Sequence, residues 1–106
     1  MTAVWVNNGL LIDYTAESDI ARGDVIVMGE RCGVAFNSAK AGEIVPVYVK
    51  GRFTVNAKTG TAIKAGDALY YDNSTATVSK TTGGVYMGIA AASMAASGAA
   101  VDVVLA

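Results

Sequence analysis

The 106-residue chain has no histidine and one cysteine, Cys32. That removes most of the side chains with which proteins do chemistry near neutral pH. The usual zinc sets need several His and Cys ligands, and neither a serine nor a cysteine triad can be built without an imidazole base. Four weaker arrangements are left. Asp24 and Asp67 follow matching glycines and are the pair to weigh for two-carboxylate glycoside chemistry. Each also stands at a strand entry, where a short carboxylate bonds nearby backbone N–H groups, and that turn role explains them better. Ser38 with Lys40 and Ser79 with Lys80 are conceivable Ser–Lys pairs, but residues this close in turns are ordinary. Asp72-Asn73 is the nearest approach to a calcium loop and reads better as a hairpin turn. Cys32 has Arg31 beside it as its one candidate activator, and a lone cysteine excludes an intrachain disulfide.

Binding motifs fare no better. Gly51 is followed by Arg52-Phe53-Thr54-Val55 and then Asn56-Ala57-Lys58-Thr59, so the second glycine of a P-loop is missing and the lysine is displaced. No G-x-G-x-x-G occurs. Asn73-Ser74-Thr75 fits the glycosylation acceptor pattern, but Met1–Val6 lacks the basic and long apolar parts of a secretion signal. Trp5, Tyr14, Tyr48, Tyr70, Tyr71 and Tyr86 could line a sugar or base platform; at strand positions most read as core or subunit-interface residues. The expectation is a non-enzymatic chain with no catalytic residues, cofactor or metal. A surface module recognising carbohydrate through Tyr70-Tyr71 or Trp5 is the alternative.

The bulk numbers agree. Net charge is −1, and the eight basic residues are scattered singly from Arg22 to Lys80, which argues against nucleic-acid and anionic-membrane surfaces. Charged residues make up 16% and hydrophobic residues 53% of the chain, a balance that suggests a surface partly covered by partners. The uncharged stretch between Lys80 and Asp102 is long enough to span a bilayer, but it consists mostly of Ala, Gly, Ser and Thr, which insert poorly; a soluble chain is expected.

What must position these residues is a β-scaffold. Four times a glycine, three times with an acid after it, precedes a strand-type run: Gly23-Asp24, Gly42-Glu43, Gly66-Asp67 and Gly98-Ala99. Short strands are expected at Val4–Val6 and Leu10–Tyr14 around an Asn7-Asn8-Gly9 turn, and at Val25–Met28, Cys32–Phe36, Glu43–Lys50 and Arg52–Val55. Hairpins are expected from Ala68–Asp72 to Thr75–Ser79 and from Val85–Ala91 to Ala99–Leu105, with a one-turn helix possible in Ala90–Ala96. Pro46 lacks an N–H, which puts its strand at an edge or a bulge. The fold class is all-β: a small β-sandwich or β-barrel of about ten short strands. Gly23, Gly33 and Gly42 recur in order as Gly66, Gly88 and Gly98, and Gly33 to Gly42 and Gly88 to Gly98 are spaced nearly alike, at 9 and 10, which hints at a duplicated three-strand unit.

Gly9-Leu10-Leu11-Ile12-Asp13-Tyr14-Thr15, Ile20-Ala21-Arg22-Gly23-Asp24-Val25-Ile26-Val27 and Gly33-Val34-Ala35 resemble a known family. So do Ala41-Gly42-Glu43, Val49-Lys50-Gly51-Arg52-Phe53, the run Ile63–Asp72 and Met87-Gly88-Ile89-Ala90. In order and spacing these are similar to the tailed-phage capsid cement, or head decoration, proteins. The recombinase-like label that the family also carries finds no support here, since the nucleotide-binding loop is absent and the charge is wrong for DNA. The resemblance implies a small β-domain, often a homotrimer, on the outer surface of the phage head. There, after synthesis in the host cytoplasm, it bridges neighbouring major capsid proteins. The expected organisation is an N-terminal arm, residues 1–8, and a single β domain, residues 9–106. Because Val4, Trp5 and Val6 are apolar at a terminus that would otherwise fray, Thr2, Val4, Trp5, Val6, Asn7 and Asn8 are the expected contacts to capsid or to a neighbouring subunit.

Overall fold

A computed structural model describes residues 2–5 and 9–105. Among these the chain forms nine strands: β1 (Leu11–Thr15), β2 (Val25–Met28), β3 (Arg31–Ala35), β4 (Ile44–Tyr48), β5 (Arg52–Asn56), β6 (Ala68–Asp72), β7 (Thr77–Ser79), β8 (Val85–Ala90) and β9 (Ala100–Leu105). They build two antiparallel sheets, ordered β1-β4-β3-β2 and β5-β9-β8-β6-β7. The fold is all-β, consistent with a small sandwich. A parallel bridge between Ala57 and Val78, with the Lys58 N–H donating to the Val78 carbonyl at 3.0 Å, ties the end of β5 to β7 and curls the second sheet towards closure.

Local chemistry explains the strand entries. Gly23, Gly42 and Gly66 have φ of 89°, 89° and 94°, a left-handed conformation that costs any other residue. The acid after each glycine folds back: Asp24 accepts from the Ala21 N–H at 2.9 Å, Glu43 from Lys40 at 2.7 Å and Asp67 from Lys64 at 2.8 Å. Gly98, which has no acid after it, differs: a Cβ there would press on the Met94 side chain. Between the turns, β-branched residues alternate. In β4, Val45 and Val47 are buried while Ile44 is exposed, and each such buried side chain contributes about 1.5–3 kcal/mol.

The two sheets are copies of one four-strand unit. β1-β4-β3-β2 matches β5-β9-β8-β6 strand for strand, and the bonds match too. Val49 donates to Leu10 as Leu105 does to Gly51, Ala35 to Asp24 as Ala90 to Asp67, and Arg22 to the Ser38 hydroxyl as Ala65 to that of Ser93. The bridge Ile20↔Ala39 recurs as Ile63↔Met94. The sequence reading found three of the four strands; β1 and β5 complete the unit. Among the described residues β7 has no counterpart in the first unit. The two units do not pack face to face symmetrically. The face of the first sheet that carries Cys32, Val34 and Val25 joins one core with Leu69, Val101 and Val103 of the second, while Ile26, Val45 and Val47 on its other face form a separate cluster.

Several expectations are corrected. No strand includes Val4 or Trp5, and Val6, Asn7 and Asn8 lie outside the described residues, so the expected Asn-Gly hairpin does too. β4 is not an edge strand: it lies between β1 and β3. Pro46 is tolerated because its carbonyl accepts from Phe36, so its nitrogen faces the same side, just past the short Val34↔Tyr48 and Ala35↔Val47 ladder. Ala90–Ala96 forms no helix turn, because Met94 is pinned in the core by its bridge to Ile63. No described helix is long and apolar enough to cross a membrane.

Candidate functional site

The structure separates the residues that might have done chemistry. Asp24 and Asp67 sit in different units, each tied to its own turn. Asp67 also meets Lys80 at 3.4 Å, and its carboxyl is held below the usual range chiefly by the Lys64 N–H. In the Ser–Lys candidates each hydroxyl serves the backbone instead: Ser38 accepts from the Arg22 N–H, and Ser79 from the Thr81 N–H. Asp72 accepts from the Ser74 N–H and hydroxyl and from Lys58, all of which hold its carboxyl below the usual range, the Ser74 hydroxyl most. That is a turn with its own counter-charge. Burial pushes the Cys32 thiol up to about 11, the opposite of an activated nucleophile. No group of three or more potential metal ligands occurs among the described residues.

Tyr71 is in the core, so Tyr70-Tyr71 is no sugar platform. Tyr70 instead meets Tyr86 edge-on at 5.7 Å, and Arg31 lies over Tyr86 at 5.7 Å. Phe36, Tyr48 and Phe53 form a chain of rings at 5.3 and 5.6 Å that links the units. A cleft of about 310 Å³ beside them is lined mainly by apolar groups, with Arg22 at its margin. It holds no acid–base pair.

What the surface offers is contact area. Thr2 is exposed, and Val4 and Trp5 are exposed at 82% and 81%. Ile44, at 69%, is an exposed apolar residue that the sequence reading did not single out, although its place opposite Val45 in the β4 alternation was the available signal. Ile12 and Leu10 are half-exposed near the start of β1. On the outer face of the second sheet, Asp102 takes two hydrogen bonds from Arg52, at 3.0 and 2.8 Å, and one from Thr54 at 2.6 Å; these hold its carboxyl below the usual range, Thr54 most. This network braces β5 against β9 across their paired registers.

No curated protein and no solved structure matches the chain. A family model described as phage cement protein matches residues 6–105, nearly the whole chain and all nine strands just described. The chain belongs to the phage cement protein family.

Proposed function

We propose that this chain is a structural protein of the virion that binds the outer surface of the phage head and cements neighbouring major capsid proteins. The observation that carries the reading is the family match over residues 6–105. The physics supports it. A ligand that binds the assembled shell and not free subunits stabilises the shell by mass action, and many weak copies suffice. A chain with 16% charged residues gives up little solvation when covered. A homotrimer at three-fold and quasi-three-fold positions is the assembly that the resemblance implies. The proposed organisation is an arm, residues 1–8, on one β domain, residues 9–106. The arm, with Thr2, Val4, Trp5, Val6, Asn7 and Asn8, contacts capsid or a neighbouring subunit.

The test is solution mass together with incubation of the protein with expanded, undecorated heads. Co-sedimentation with heads, and heads that survive heating better, are expected. A monomer that ignores heads overturns the reading. Deleting residues 2–8 should weaken head binding and leave the β-sheet circular dichroism unchanged; unchanged binding removes the arm from the proposal.

A further inference from the structure

The duplication shows what is missing from the first unit. In the second unit β7 lies beside β6, pairing Tyr71 with Val78, and reaches β5 through Ala57. Val78 is fully buried there, as is Met87 at the irregularity in the β6–β8 pairing. The first unit has neither. β2 turns directly into β3 through Gly29-Glu30, and β2 is left with β3 as its one sheet neighbour among the described residues. At that place lies a groove of about 360 Å³ lined by Ile12, Met28, Arg31, Cys32 and Val49. By the matched registers, Ile12, Met28, Arg31 and Val49 are the counterparts of Phe53, Tyr71, Val85 and Leu105, and those four pack in or against the core that includes Val78 and Met87.

We infer that this groove receives the N-terminal arm of a second copy of the chain, with Trp5 seated where the second unit has Val78 and Met87, and the arm adding a strand to the free side of β2. This rests on the proposal that the arm is a contact segment and names its partner. Three observations favour this occupant. Adding a strand at an open edge satisfies backbone groups that an edge leaves unpaired. The lining, aliphatic Ile12 and Val49 with Met28, Cys32 and Arg31, is mainly apolar and sulfur-bearing and suits an indole, which gains from burial and from contact with sulfur. The arm is available: Val4 and Trp5 are far from buried in their own chain. Eight residues extend to roughly 27 Å, more than the 21 Å thickness of the molecule. The arm leaves its own chain beside the groove, since Val49, which lines it, donates to the Leu10 carbonyl at 3.0 Å. Passed from each copy to the next around a three-fold ring, every arm fills one groove, so the exchange closes in the proposed homotrimer.

Trp5 is the sole tryptophan, so the intact protein reports on the event without heads present. Its emission should shift to the blue as concentration rises, in step with the solution mass. Ile12→Asp, at a half-exposed groove position, should keep the emission red and weaken self-association by about tenfold or more, with unchanged circular dichroism. A second measurement does not depend on that variant's fold. In a Cys32→Ala background, Val4→Cys and Ile12→Cys chains should form a disulfide-linked dimer when mixed, and neither should do so alone. A monomer whose Trp5 emission stays red at every concentration overturns the inference, as does a Val4–Ile12 disulfide that forms only within one doubly substituted chain. A blue shift that appears only when heads are added also overturns it, since the arm then meets capsid, while the cement reading stands. Arm exchange in a protein that ignores heads keeps the inference and removes the cement reading.

Discussion

Two units with the same strand order and the same turns bury opposite amounts of matching surface. Val34 of the first unit is 5% exposed, while Ile89, its counterpart in the second, is 41% exposed. Leu11 corresponds to Arg52, and Pro46 to Asp102. The cause is the way the units stack. The first turns this face onto the second, whereas the second turns the equivalent face to solvent and covers it with the Arg52–Asp102–Thr54 network. A duplicated fold keeps its backbone and lets side chains diverge according to which face is covered. The second unit then goes further: β7 fills its core with Val78 and links its outer strands. Among the described residues, no strand links β1 and β2 of the first.

The largest test of the comparison is the glycine both units keep at one place. Gly33 pairs with Ile26, and Gly88 with Leu69. A Cβ on Gly88 would strike the Val104 backbone, carbonyl oxygen first; a Cβ on Gly33 would meet mainly the Val47 and Met28 side chains and the Tyr48 carbonyl at 2.8 Å. Side chains can shift and a paired strand cannot. Gly88→Ala is expected to cost about 3 kcal/mol or more and Gly33→Ala about 1–3 kcal/mol, by denaturant unfolding. Equal costs would mean that the closed unit is no more rigid than the open one.

The next effect isolates β7. Val78→Ala removes buried methyl groups from the strand that the first unit lacks and should cost about 2 kcal/mol. Ile12→Ala, at the rim of the unfilled groove, should cost less than about 1 kcal/mol when measured on dilute protein. Should Val78→Ala prove as mild as Ile12→Ala, β7 would be an appendage and the contrast between filled and unfilled units would fail.

The duplication was partly legible in the chain, and what hid the rest has physical causes. Glycines forced by backbone geometry are conserved in place between the halves: Gly23 with Gly66, Gly33 with Gly88. The acids that tie the turns were equally visible, because a carboxylate after a left-handed glycine has a nearby N–H to accept from. β1 and β5 were missed as partners because Leu11-Ile12-Asp13-Tyr14-Thr15 and Arg52-Phe53-Thr54-Val55-Asn56 share little beyond alternation; one is covered on a face that the other exposes. Pro46 misled because the rule against central-strand proline counts a missing donor, and here the ladder ends before that donor is needed. The groove could not be read at all, since it is defined by a strand present in one unit and absent from the other.

The smallest effect concerns acid. Asp67, Asp72 and Asp102 all belong to the second unit, and all three carboxyls lie below their ordinary range: Asp67 through the Lys64 N–H, Asp72 through Ser74 and Lys58, Asp102 through Thr54 and Arg52. A carboxylate whose pKa is lower folded than unfolded binds fewer protons in the native state. Its contribution is therefore complete at neutral pH, begins to fall as pH drops through the unfolded value near about 4, and is gone below the folded value. All three are solvent-accessible, so the loss is modest and shrinks further in high salt. Urea midpoints between pH 7 and pH 2 should decline, and Asp102→Asn should decline less steeply, because its position no longer takes up a proton on unfolding. Its counterpart, Pro46, carries no charge to titrate. An Asp102→Asn profile parallel to wild type would show that the network at the solvent-facing copy of this site is decorative and that the two copies differ in composition alone.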